Sequence, residues 1–524
     1  MKNTEVAKSQ ESKTVTVKQA KPLKPLLESW GQSKDYSAKE FTGLAYDSRK
    51  LERGDIFFCI EGEHFDGNNF IEDALKRGAC LIVSQRPEAK VECSEYVVVD
   101  DIRVAMAEAA TYFYDYPSQK VRVIGVTGTN GKTSTTHIVE RILLKAGSKT
   151  GLIGTMGARW SSTGDSSEKL LDLHHTTPQC VDFYQVLARM VEQDVSHVVM
   201  EVSSHALEQK RVGLCHFSTA CLTNITQDHL DYHKTMDRYK EAKAILFDAL
   251  SVSCHSPSTA VLNADDPSFL EFKEKVQAKN QKLLSYGYGE EADFQLIEES
   301  YKSLFKGTDI KVKTPDGVFE FNLKLLGRFN IYNVLASIAI ARAENIGIEA
   351  IQEGLSEFRG VAGRFEVVTV DEDSAYPLCI VDYAHTPDGL ENVLKAAREI
   401  VPAGGKLITV FGCGGDRDTS KRPKMGAIAQ NLADKIVVTS DNPRSEDPKQ
   451  IIADILAGLA RMQNVQVEED REKAIDLAVG EARPEDVIVI AGKGHETYQL
   501  VKDKVLDFDD RQKTRASLHK RLSS

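Results

Sequence analysis

Gly128-Thr129-Asn130-Gly131-Lys132-Thr133 is a run whose residue types and order suit the binding of a polyphosphate. A β-branched stretch, Val121 to Val126, leads into it, and an amphipathic helix with Ile138, Ile142 and Leu143 on one side is predicted after it. Strand, glycine turn and helix N-terminus together make an anion cradle. Backbone N–H groups and the helix dipole face the phosphates, Lys132 adds a point charge, and the Thr133 hydroxyl can hold Mg²⁺. The loop is tighter than the strict G-x-x-x-x-G-K-S/T pattern, because Val126 stands where that pattern has its first glycine. A nucleoside triphosphate is the expected ligand, with Ser134 continuing the site into the helix.

Two further segments could serve the phosphates. Glu201 ends a predicted strand, His197–Val202, and opens the run Glu201-Val202-Ser203-Ser204-His205. A carboxylate there is placed to hold Mg²⁺ against a phosphate loop, or simply to cap a turn. The segment from Asn224 to His233 is dense in His and Asp, among them Asp228, His229 and Asp231, which could be ligands or turn caps. Lys243 lies on the predicted helix Met236–Leu250 and shares its apolar side with Tyr239, Leu246 and Phe247. Such a lysine usually snorkels to solvent. A buried one can instead lose its proton, react with CO₂ and become an anionic metal ligand.

Late in the chain, Ser440-Asp441-Asn442-Pro443-Arg444 follows the predicted strand Lys435–Thr439, and Gly492-Lys493-Gly494-His495-Glu496 follows Val487–Ala491. Two polar loops at strand ends suit a zwitterionic ligand. Arginine offers a planar fork for a carboxylate, and Glu496 or Asp441 could take an ammonium. Arg417 adds a further cation. Its run, Gly412-Cys413-Gly414-Gly415-Asp416-Arg417, superficially resembles a dinucleotide fingerprint, but the third glycine is misplaced and no NAD site is expected.

The elements that must position these residues follow from length and periodicity. A chain of 524 residues holds roughly three domains. Residues 1–23 are polar and read as a disordered tail. Residues 24–119 carry short strands (Asp55–Ile60, Cys80–Ser84, Glu95–Val99) and a helix near Phe70–Arg77. Residues 120–357 alternate strands and helices, which predicts a doubly wound parallel sheet around the phosphate loop. Residues 358–524 repeat that alternation as a second α/β domain. In such sheets ligands gather beyond the carboxyl ends of the strands, where Glu201, Asn224 and Asn263 fall.

Composition narrows the partners. The formal charge of −12 argues against a nucleic-acid surface, and no apolar run approaches the length of a membrane-spanning helix. Nine cysteines are scattered singly without a C-x-x-C pair, so reduced thiols and a cytoplasmic location are expected.

The combined motifs resemble the Mur ligases of peptidoglycan synthesis. They are the phosphate loop, Glu201 to His205, Asp228 to His233, Tyr239 to Lys243, Leu326 to Asn330, Gly363-Arg364, Asp382 to His385 and the two late loops. The resemblance runs from about Leu44 to Arg511. It implies a three-domain α/β fold, ATP as co-substrate, Mg²⁺, and UDP-MurNAc-L-Ala-D-Glu as the acceptor of an amino acid. It implies that Ser48, in Asp47-Ser48-Arg49, helps to cradle the UDP-sugar, and that His175, Thr176, Thr177, Ser203, Gln209 and Arg211 hold the muramoyl-dipeptide. His175 stands where the family usually has asparagine. Lys243 matches a carbamylated lysine, Glu201 and His229 match Mg²⁺ ligands, and Asn330, Arg364 and Asp382 are implied near the nucleotide. Arg417, Asp441, Asn442, Pro443, Arg444, Gly492 and Glu496 match the pocket for the incoming amino acid. The Asp-Asn-Pro-Arg loop marks members that add meso-diaminopimelate; lysine-adding members lack that arginine. Leaving the arginine unpaired would cost on the order of 2–4 kcal/mol, which is enough to choose between the two. Other readings are a lysine-adding ligase, a folylpolyglutamate synthetase, or a regulatory P-loop ATPase outside the ligases.

Overall fold

Runs of Val, Ile and Leu buried on both sides become the strands of two sheets, and the polar segments between them become helices and site loops. The computed structural model describes residues 20–33, 36, 38–62, 65–87, 95–161, 168–171, 175–303, 307–370 and 376–523. The chain divides into two compact units. The first comprises Met1–Lys120, Pro178–Arg189 and Glu208–Leu214, and the second the remainder.

In the first unit four parallel strands run in the order Gly43–Ala45, Asp55–Phe58, Leu81–Ser84 and Tyr96–Val98. Asp101 caps the helix Ile102–Phe113 by accepting from the N–H groups of Arg103 and Val104. Most of the expected tail, residues 1–19, lies outside the described residues. Its last part is ordered: Lys21–Pro22 pairs antiparallel with Glu40–Phe41, and Leu23, Leu26 and Leu27 are buried. Two pieces expected in the central segment also belong to this unit. Asp182 accepts a hydrogen bond from the Tyr46 hydroxyl, the Tyr184 hydroxyl donates to the Gly213 carbonyl, and Lys210 pairs with Asp101.

Among the described residues the second unit holds an eleven-stranded sheet. Its parallel part runs Thr150–Gly154, His197–Glu201, Arg122–Thr127, Phe217–Leu222, Thr259–Asn263 and Lys282–Gly287. The phosphate-loop strand is thus central. Ile124 and Val126 join one core with Ile138, Ile142 and Leu143 of the helix that follows the loop and with the apolar helix Arg328–Ala343. Gly125 faces the other way, toward Phe217 and Leu246 of the helix Met236–Leu250. Helices on both faces make the sheet doubly wound. Two antiparallel segments extend it: a hairpin, Gly157–Ser161 with Glu168–Leu171, and a meander, Phe294–Ser303, Gly307–Thr314 and Gly317–Leu323, whose first strand joins Lys282–Gly287 in parallel.

A six-stranded sheet follows, in the order Glu366–Val368, Leu378–Asp382, Val487–Ala491, Leu407–Phe411, Lys435–Val438 and Val465–Val467. All its strands are parallel except the first. Among the described residues no helix is long and apolar enough to cross a membrane.

Candidate active site

The glycine loop takes its shape from backbone conformations that L side chains resist. Gly128 has φ +150° and Gly131, the helix N-cap, φ +85°. A Cβ on Gly128 would lie 1.8 Å from Thr223 Oγ1, and one on Gly131 would lie 2.3 Å from Asn333 Oδ1. Neighbouring strand ends pin the loop. Thr129 N–H donates to the Asn224 carbonyl at 2.8 Å, Asn130 N–H to Asn224 Oδ1 at 3.0 Å, and Thr223 Oγ1 to the Asn130 carbonyl at 2.6 Å. Gly128→Ala should therefore displace the loop at a cost of about 1–3 kcal/mol and weaken nucleotide binding about tenfold or more. Fluorescent-nucleotide titration checks this, and unchanged affinity would contradict the loop geometry.

Lysines converge on the same loop. Lys132 Nζ donates to the carbonyls of Gly128 and Thr129 at 2.8 and 2.9 Å, and Lys243 Nζ donates to the Gly128 carbonyl at 2.9 Å. The two lysine nitrogens thus share the Gly128 carbonyl, beside the place where phosphates would sit. Lys243 is only 1% exposed and lies 4.3 Å from the centre of the Tyr239 ring. Burial pushes its pKa well below the ordinary lysine value and the Lys132 charge adds to this, against Asp228. Burial also lowers Lys132, opposed by Glu201 and Asp228. Lys243 thus does not snorkel.

Glu201 is buried at the end of its strand. Oε2 accepts from Thr133 Oγ1 at 2.9 Å, and Oε1 accepts from the Thr155 N–H at 2.9 Å. The Thr155 hydroxyl also meets Glu201 Oε2 at 3.3 Å and Thr176 Oγ1 at 3.2 Å. Thr177 Oγ1 donates to the Glu201 carbonyl and accepts from the Ser203 N–H. Thr133, Thr176, Thr177 and Ser203 thus form one connected polar patch around Glu201, which Thr155, unmarked by any motif, links to Thr176. His229 is exposed, its ring 4.7 Å from that of His205 and 6.3 Å from that of Tyr239. Partial desolvation lowers its pKa, and Lys132 and Lys243 add to this against Asp228.

Among the described residues no three His, Cys, Asp or Glu side chains converge as a ready-made metal cluster. The donor chemistry still fits a hard cation, because Thr133 and Glu201 pair two oxygen donors beside the phosphate loop. Lys243 as an ammonium cannot ligate, whereas as a carbamate it would supply two more oxygens.

The other sequence-predicted residues are distributed as follows. Asn130 is exposed and Ser134 partly buried in the first helical turn. Asn330 is buried and donates to the Leu326 carbonyl, while Asn333 touches Gly131. Asp382 ends its strand, accepts from the Phe365 and Ala384 N–H groups at 2.7 and 2.8 Å, and has its pKa raised by burial against the pull of Arg364. Arg364 lies 5.1 Å from the centre of the Tyr383 ring, with its Nε buried and unpartnered. His175 is exposed. Ser48, Gln209 and Arg211 are in the first unit, where Gln209 Oε1 accepts from Arg211 at 2.7 and 3.1 Å.

Around the late loops, Asp441 and Asn442 are buried and Arg417 is exposed. Pro443 is buried, and its carbonyl accepts from the Glu446 N–H. Gly492 N–H donates to the Asp382 carbonyl, joining two strand ends. Arg444 sits at φ +52°, donates to the Gly415 carbonyl at 2.8 Å, and is held through its own N–H and carbonyl by Leu500 and Lys502. A cavity of about 570 Å³ beside it is lined by Asp416, Arg444, Ser445, Leu500, Lys502 and Asp503. Of these, Arg444 alone was expected at a site. Asp416 and Ser445 adjoin Arg417 and Arg444 on the two motif loops, whereas Leu500, Lys502 and Asp503 belong to a hairpin, Tyr498–Val501 with Lys504–Asp507, that carries no motif.

The Mur ligase middle domain matches residues 126–341, the Mur ligase glutamate ligase domain 363–494, and the Mur ligase family catalytic domain 40–114. A protein of Bacillus licheniformis named UDP-N-acetylmuramoyl-L-alanyl-D-glutamate--2,6-diaminopimelate ligase is 45% identical over 90% of this chain and 93% of its own. One of the same name from Geobacillus thermodenitrificans is 45% identical over 92% and 96%. A solved structure of that name is 33% identical, with a TM-score of 0.67, over 94% of this chain and 98% of its own. Carried by three family domains and by near-full-length relatives, the chain belongs to the Mur ligase family.

Proposed function

We propose that this protein joins meso-diaminopimelate to the γ-carboxylate of D-Glu in UDP-MurNAc-L-Ala-D-Glu, with ATP converted to ADP and phosphate. The observation that carries the reading is the near-full-length similarity to proteins named for diaminopimelate addition, which spans both the phosphate loop and the Asp441–Arg444 loop. Three domains serve it, with boundaries near 24–119, 120–357 and 358–524.

A carboxylate is a poor electrophile, so it must first be activated. The D-Glu carboxylate attacks the γ-phosphorus of ATP, giving an acyl phosphate and ADP. The Gly128–Thr133 backbone and Lys132 hold the triphosphate and stabilise charge on the moving phosphoryl group. Thr133, Glu201, His229 and a carbamylated Lys243 would hold Mg²⁺, which would screen the repulsion between the two anions. Thr155 orients Glu201 and contacts Thr176, so the carboxylate and Thr176 share one frame. Asn330, Arg364 and Asp382 hold the nucleotide; Ser48, His175, Thr176, Thr177, Ser203, Gln209 and Arg211 hold the UDP-sugar dipeptide. Arg417, the Asp441–Arg444 loop, Gly492 and Glu496 grip the diamino acid. Its free amine attacks the acyl carbon, phosphate leaves, and the amide forms. A cytoplasmic location suits the nucleotide substrates.

Mass analysis after incubation with all three substrates should show the tripeptide-bearing product. ATP turnover without that product would favour an ATPase.

A further inference from the structure

Lys493, between Gly492 and Gly494, has no exposed side-chain surface, which is rare for lysine unless it is paired. Its Nζ donates to Asn442 Oδ1 at 3.0 Å and to Glu496 Oε2 at 3.1 Å. Asn442 Oδ1 also accepts from the Leu500 N–H at 2.9 Å, so both lone pairs of that oxygen are used. Asn442 Nδ2 donates to Glu496 Oε2 at 2.9 Å. This arrangement fixes the amide: turned over, its NH₂ would face an ammonium and a backbone N–H. Glu496 Oε2 is likewise engaged twice. The unused capacity of the pair is one Asn442 N–H and Glu496 Oε1. A donor and an anionic acceptor side by side match an aminocarboxylate, the carboxylate meeting the N–H and the ammonium meeting the Glu496 oxygen.

We propose that Lys493 is a positioning residue for amino-acid recognition, holding Asn442 and Glu496 so that they present this matched pair to the substrate. The proposal rests on the reading that the two late loops hold the incoming diamino acid. The attacking amine must stay free, so the pair engages the distal aminocarboxylate, which diaminopimelate has and L-lysine lacks.

Lys493→Met removes both donations at nearly constant volume. The KM for diaminopimelate should rise about ten- to a hundredfold, the effect of losing charge-assisted hydrogen bonds, while KM for ATP and for the UDP-sugar stays as in the wild type. Lys493→Gln keeps a donor and should recover part of the loss. An unchanged KM for diaminopimelate in both variants would overturn the proposal. So would lowered kcat and thermal stability without a selective KM change, which would make the lysine merely structural. A wild-type protein that takes no diaminopimelate would overturn the reading of the loops themselves, and the proposal with it.

Discussion

Lys243→Ala is expected to cut diaminopimelate-dependent phosphate release about a thousandfold or more, the scale of losing several kcal/mol of charge stabilisation. The reason lies in its surroundings. Lys243 is buried, meets the same carbonyl as Lys132, and has its pKa driven down by burial and by that neighbouring charge. An ammonium there opposes Lys132, while an anionic carbamate would attract both Lys132 and a metal ion. The variant should retain its fold, because the helix Met236–Leu250 keeps Tyr239, Leu246 and Phe247 in the core. Formate or acetate should restore part of the rate by supplying the missing carboxylate oxygens. In the wild type, removal of CO₂ should lower activity and bicarbonate restore it. The sign with pH follows from the lowered pKa: the free amine that CO₂ requires persists to lower pH than in an ordinary exposed lysine, and it is lost as pH falls through the shifted pKa. Wild-type turnover in Lys243→Ala would sink the assignment.

Arg444→Ala should erase the preference for diaminopimelate over L-lysine by about 30- to 1,000-fold in kcat/KM ratio, equivalent to about 2–4 kcal/mol. Arg444 is held rather than loose. The hairpin takes its backbone N–H and carbonyl, φ is +52°, and one guanidinium nitrogen bonds to the Gly415 carbonyl. A guanidinium so placed has lost little further entropy on meeting a carboxylate. The effect should fall on the amino acid alone, leaving KM for ATP as it was. Competition between the two amino acids, read as product masses, tests it. An unaltered product ratio would move selectivity to other residues of the loops.

Much of this arrangement was legible from local chemistry. The phosphate loop carries its own glycines, the helix Met236–Leu250 shows a clean period, and Glu201 ends an apolar strand. The residues that complete the site left no such trace. Thr155 reaches Glu201 across parallel strands, and one threonine after a strand is indistinguishable from a turn residue. Lys493 between two glycines reads as an exposed loop lysine, because its burial and pairing depend on Asn442, 51 positions earlier in the chain. The meander Phe294–Leu323 left no clear signal in its first strand, whose pairing is broken by register shifts at Leu296/Glu298 and Tyr301/Ser303. The membership of Pro178–Arg189 in the first unit is tertiary, set by contacts such as Tyr46 to Asp182 that no periodicity encodes.

The most direct test of the central claim is phosphate release from Mg-ATP and UDP-MurNAc-L-Ala-D-Glu, with meso-diaminopimelate or L-lysine supplied in parallel. The account predicts rapid release with diaminopimelate and little with lysine. Equal or faster release with lysine would contradict it, preserving the ligase while removing diaminopimelate as its substrate.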